Sequence, residues 1–161
     1  MAYTTINKST DYFNTKLYTG NGSTQHSITG VGFQPDLVWL KSRDDTYNHF
    51  LFDAVRGVGK QIYSNTNGTE ATNMNNLYSF NADGFSLTQS SLDDVTNKNN
   101  SNFASWNWKA NGAGSANTDG SINYPVSVNT DAGFSIVSYT GTGSAGTIAH
   151  GLGVKPSVII I

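Results

Sequence analysis

The 161 residues suffice for one domain of ordinary size, or one domain and a fragment. Charged residues make up 12% of the chain, half of the ~25% of an average domain, while 17 Gly with about 55 Asn, Ser and Thr supply close to half of it, which excludes a helical protein surfaced with Glu, Lys and Arg. The net charge is −2 and the only arginines are Arg43 and Arg56, which excludes a basic nucleic-acid face; the absence of cysteine excludes a disulfide framework, a thiolate metal site and a cysteine nucleophile.

In chain order, residues 1–12 are polar and read as an N-terminal arm that docks onto a larger particle or a neighbouring subunit. Strands are expected at 17–20, 36–42, 49–53, 61–65, 84–89, 102–110, 121–129, 133–141 and 157–161, all rich in β-branched and aromatic residues. Turn pairs bound them at Asn21-Gly22, Asn67-Gly68, Asp83-Gly84, Asn111-Gly112 and Asp119-Gly120. Alternation is plain in NFASWNWKA, where Phe103, Ser105, Asn107 and Lys109 oppose Ala104, Trp106, Trp108 and Ala110. The unbroken run LVWL reads as a strand covered on both faces, or as a central strand of a sandwich. Two weak helix candidates remain, Phe52–Gly59 and Thr69–Leu77. Many short strands with Gly-rich turns predict an all-β fold, an antiparallel β-sandwich or jelly roll. No secretory leader is legible, and no apolar run approaches the ~18 residues of a membrane span, so no membrane insertion is expected.

Residues 13–40 align without gaps to 134–161 at an offset of 121, with nine identities in 28 positions. Tyr18-Thr19-Gly20 matches Tyr139-Thr140-Gly141, Pro35 matches Pro156, and Leu37–Leu40 faces Val158–Ile161. The chain therefore divides into the arm, a sandwich domain at 13–132, and the start of a second repeat copy at 133–161. That copy is read as truncated, its last strand needing more chain or a partner to cover it; the alternative is that residues 134–161 belong to one domain and pair with their first-copy counterparts.

Several motifs bear chemistry. Trp106 and Trp108 lie on one face of their strand; such a pair fills a core or, beside amides such as Asn99 and Asn100, forms a platform for a glycan. Asp53 and Arg56, three residues apart in LFDAVRG, suit a structural clamp, with an anion site as the alternative. Asp93 and Asp94, with Asn97, Asn99 and Asn100, offer hard oxygens for calcium, but the spacing lacks an EF-hand pattern and its closing Glu, so no metal or other cofactor is expected. His26, His49 and His150 are isolated in sequence, and no G-x-S-x-G elbow occurs, so no enzymatic activity is expected. Two convergent acids of a glycan depolymerase stay open as a minor alternative.

The order of YFNTKLYTGNGSTQHSITGVGFQPDLVWLKSR, LFDAVRG, NADGFSL, FASWNWKANG and NTDAGFSIVSYTGTGSAGTIAHGLGVKPSVIII resembles an uncharacterised repeated domain of tail-fibre-like and appendage-like virion proteins of marine bacteriophages. The resemblance spans about 12–161 and implies a concanavalin-like sandwich with a structural or adhesive role. It implies no catalytic residues. Such relatives often carry a cysteine between the two tryptophans, where this chain has Asn107. The expected role is a virion structural protein, a tail-fibre or appendage subunit contributing to host attachment; the alternative is a head or tail decoration domain that binds no receptor. Expected partners are other virion proteins, copies of itself in a homotrimer, and a host surface glycan. Expected localisation is the virion, made in host cytoplasm and released by lysis.

Overall fold

The computed structural model describes residues 6–88 and 96–161. After a 3-10 turn at Ser9–Asp11 come β1 (Phe13–Thr19), β2 (His26–Thr29), β3 (Leu37–Ser42), β4 (Phe50–Asp53), β5 (Lys60–Tyr63), β6 (Ala71–Thr72), β7 (Leu77–Asn81), β8 (Gly84–Leu87), β9 (Asn102–Trp108), β10 (Ser115–Asn117), β11 (Tyr124–Asn129) and β12 (Phe134–Val137). They form a six-stranded sheet, β1-β9-β3-β4-β5-β6, and two three-stranded sheets, β2-β8-β7 and β10-β11-β12. Neighbouring strands pair antiparallel throughout, so the fold is an antiparallel sandwich.

The core follows from strand alternation. Val38, Leu40, Phe50 and Phe52 of the large sheet face Ile28, Leu77, Phe85 and Leu87 of the β2-β8-β7 sheet, and all are buried. Tyr18 extends this layer, stacked on Phe103 at 5.1 Å between ring centroids. Its hydroxyl donates to the Thr96 carbonyl at 2.7 Å, and burial pushes its pKa well up. Truncating one of these phenylalanines to alanine removes roughly 3–5 kcal/mol.

No α-helix occurs among the described residues. The candidate at 52–59 is the end of β4 and a turn, because the Asp53 side chain takes up the Arg56 amide at 2.8 Å and Gly57 and Gly59 have positive φ. The candidate at 69–77 is β6 and a turn: the Asn73 side chain captures the Asn75 amide at 2.9 Å, a local alternative to helical bonding. The expected strand at 157–161 is not formed. Its counterpart β3 is a strand because β9 and β4 flank it, whereas Val158–Ile161 are 70–103% exposed with no described strand beside them. The repeat nevertheless carries shared geometry. Gly30 and Gly151 have φ of 77° and 72°, and Asn21 and its counterpart Thr142 each bond the amide two residues on with a side-chain oxygen. Of the arm, residues 6–12 are described, and Lys8 pairs with Asp11 at 2.9 Å.

The Asp83-Gly84 turn joins the smaller sheet to the loop that closes the sandwich. Both Asp83 oxygens accept backbone N–H groups, from Gly32 at 2.6 Å and Gly30 at 2.9 Å. These bonds, with the charge of Lys16, hold the carboxyl below the usual carboxylate range. At Gly84, φ is +141° and an added Cβ would sit 2.0 Å from the Ile28 carbonyl oxygen of β2. Gly112, at φ +64°, has open space instead. We expect Gly112→Ala to cost only the left-handed penalty, about 1–2 kcal/mol. Gly84→Ala should cost clearly more and detach β2 from β8, as read by urea unfolding and by amide exchange at Ile28; equal costs would contradict this packing.

Candidate functional site: an aromatic sheet face

Alternation that sends Phe103, Ser105 and Asn107 inward sends Ala104, Trp106 and Trp108 outward. The same alternation in β3 buries Val38 and Leu40 and turns Leu37, Trp39 and Lys41 outward, so LVWL is not equally covered on its two faces but is a central strand of the sandwich, between β9 and β4. Cross-strand register then assembles the outer side chains into rows. One row runs Thr15, Trp106, Trp39, Leu51 and Ile62 across five strands. A second runs Phe13, Trp108, Leu37 and Asp53. Thus the three tryptophans of the chain share one surface, flanked by Phe13, 37% exposed, and Leu17, 62% exposed.

The rings touch. Trp39 and Trp106 meet edge-on at 6.1 Å, and Trp108 lies 4.9 Å from Phe13. Phe134 of β12 stacks on Trp108 at 6.2 Å and 23°, so the third sheet caps one end of the face. Aromatic pairs of this geometry contribute about 0.5–1.5 kcal/mol beyond area burial. Trp39 Nε1 donates to His49 Nδ1 at 3.0 Å. Burial, with the charge of Lys41, holds the His49 pKa below its usual value, which keeps the imidazole neutral and able to accept. The sequence assigns Trp39 no role and marks His49 only as an isolated histidine; the alternation of LVWLKS was the available signal for Trp39.

The expected glycan set is not brought together. Asn99 and Asn100 lie exposed in the turn before β9, and Asn100 precedes Trp106 by six residues, roughly 20 Å of extended chain. The amide that organises that region is Asn97, fully buried. It donates to Asn21 Oδ1 and the Ser23 carbonyl at 3.1 Å each, and its Oδ1 meets His26 Nδ1 at 2.6 Å. Asp93 and Asp94 lie outside the described residues. Among the described residues no group of three or more His, Cys, Asp or Glu could hold a metal ion.

Asp53 and Arg56 are joined, Nε to Oδ2 at 2.5 Å. The guanidinium also reaches Glu70 at 3.1 Å and the Leu51 carbonyl at 3.1 Å, tying the turn after β4 to the approach to β6. Asp53 is 5% exposed. An unpaired carboxylate so buried costs roughly 3–5 kcal/mol, so the guanidinium is what allows it there.

The His49 bond generates a pH dependence. Because the folded-state pKa is lowered, the stabilisation is complete above the unfolded value of about 6.5 and is lost as pH falls through the lower folded value. Between about pH 7.5 and about pH 5 we expect the melting temperature to fall and Trp39 emission to change together. His49→Gln should remove that emission step; an unchanged step would place its origin elsewhere.

No curated protein and no solved structure matches the chain. The family described as a domain of unknown function, DUF7483, matches residues 8–161, and the chain belongs to that family.

Proposed function

We propose that this domain is a non-catalytic virion module, a subunit of a phage fibre or appendage that assembles with copies of itself through the aromatic sheet face and contributes to host attachment. The observation that supports the reading is the placement of Phe13, Trp39, Trp106 and Trp108 on the sheet face opposite the core. The core cluster forms without them, and the three tryptophans stay half-buried, which leaves area for a further contact. Phe134, seated on Trp108, illustrates how a ring covers this face, and a neighbouring copy extends the same cover over Trp106, Trp39 and Ile62. Lys41 lies in the row beside them, and Asp53, Arg56, Lys60 and Glu70 neutralise one another at the edge of the face. A charge-poor aromatic patch fits close packing in a closed symmetric oligomer better than charge-steered encounter. The virion setting rests on the resemblance of the ordered sequence motifs to phage appendage proteins.

Light scattering after size-exclusion chromatography tests the reading. We expect a closed oligomer, a trimer by analogy with fibres, and a monomer for the exposed-face variant Leu17→Lys/Ile62→Lys with an unchanged circular dichroism spectrum. A monomeric parent chain, or a variant of unaltered mass, would contradict assembly through this face.

A further inference from the structure

A concavity opens at the sandwich rim, where the end of β5 meets the turn before β7. It is open to solvent and holds about 380 Å³, lined by Tyr47, Asn48, Tyr63 and Asn73 with the buried Gln61 and Asn76. This volume falls within the usual range of small-molecule sites. Its floor is a directed chain of hydrogen bonds. Thr96 Oγ1 donates to Asn76 Oδ1 at 3.0 Å, Asn76 Nδ2 to Gln61 Oε1 at 2.7 Å, and Gln61 Nε2 to the Tyr63 hydroxyl at 2.8 Å. Thr96, Asn76 and Gln61 are 1%, 1% and 4% exposed, whereas Tyr63 is only half-buried. Since each group donates toward the rim, the Tyr63 hydroxyl accepts from the wall and keeps its own hydrogen. Successive bonds polarise one another, which strengthens that last donor. Phe50 fixes the Tyr63 ring edge-on at 5.2 Å.

The rim adds donors. Asn48 Oδ1 is occupied by Asn65 Nδ2 at 3.0 Å, and Asn73 Oδ1 by the Asn75 amide at 2.9 Å. Both residues thereby keep an NH₂ group that meets no acceptor among the described residues. Lys98 lies over the Tyr47 ring at 5.6 Å, but Asp45 neutralises it at 2.8 Å. The cavity therefore combines aromatic rings, unspent neutral donors and no unpaired charge.

We infer that this cavity is a binding site for a neutral, hydroxyl-rich ligand, a saccharide unit, with the Tyr63 hydroxyl as its principal donor. Sugar oxygens accept from the tyrosine and the two amides, and C–H faces pack on the rings. The inference supplies a location for the host attachment proposed above, yet it stands apart from the aromatic face: mass reports that face, and ligand binding reports this cavity.

Saturation-transfer NMR on the full chain, with glucose, galactose, mannose and N-acetylglucosamine each at about 10 mM, tests it; a single sugar unit is expected to bind with a Kd of about 1 mM. At least one sugar should receive transfer, and Tyr63→Phe, which keeps the ring and the core packing, should weaken it roughly tenfold. Asn48→Ala, at the rim, should weaken it as well. Absence of transfer to all four sugars, transfer that survives both substitutions, or displacement of the sugar by equimolar sulfate would each overturn the inference.

Discussion

The register of β9 between β1 and β3 governs the molecule. Seven residues of β9 pair with β1 and six of them also with β3, so among the described residues no other strand is constrained on both sides over such a length. A slip of one residue would turn Trp106 and Trp108 into the core and expose Phe103. Small polar side chains hold the inner face against that slip. Asn107, fully buried, donates to the Asn14 carbonyl at 3.0 Å and to Ser105 Oγ at 3.1 Å, and its Oδ1 takes no protein donor. An orphaned buried oxygen costs about 1–3 kcal/mol. The fold therefore carries a local cost at Asn107, in the strand whose register places the tryptophans. Asp36, 3% exposed, locks the same register at its end by accepting the Ala110 amide at 2.7 Å.

The fold presents two surfaces of different chemistry. The outer face of the large sheet is aromatic and suits contact with a flat apolar partner. The rim beyond β5 is concave, neutral and rich in amides, and suits a small hydroxylated ligand. They lie on opposite sides of the large sheet, since Tyr63 shares the inner row with Phe50 and Leu40, and Ile62 ends the outer one. An assembly built on the first surface leaves the second open, and several copies then present several cavities. Weak saccharide affinities combine into strong attachment when the spacing lets more than one site engage.

Much of this was legible in the chain. The β class followed from turn pairs and composition, and the division of NFASWNWKA into two faces followed from period-two alternation. The three-residue spacing of Asp53 and Arg56 marked their pairing. What was not legible is non-local. Trp39 joins the face through register with Trp106, which no single segment encodes. The terminal apolar run 158–161 has strand composition, but a strand requires a neighbour as well as a propensity. Asn99 and Asn100 matched a glycan motif by type, yet they sit at the far end of β9 from Trp106 and Trp108. The rim chain links positions 61, 63, 76 and 96, which are ordinary residues in a sequence so rich in Asn and Thr, and only the fold distinguishes Asn76 from its exposed neighbour Asn75.

The most direct test of the central claim, that β9 register displays the tryptophans outward as an assembly surface, is acrylamide quenching of tryptophan emission across a dilution series. The account predicts efficient quenching in dilute protein and a progressive loss of quenching as concentration rises, with the far-ultraviolet spectrum constant. Tryptophans shielded at every dilution would mean that they belong to the core, and tryptophans equally quenched at every concentration would mean that no copy covers the face.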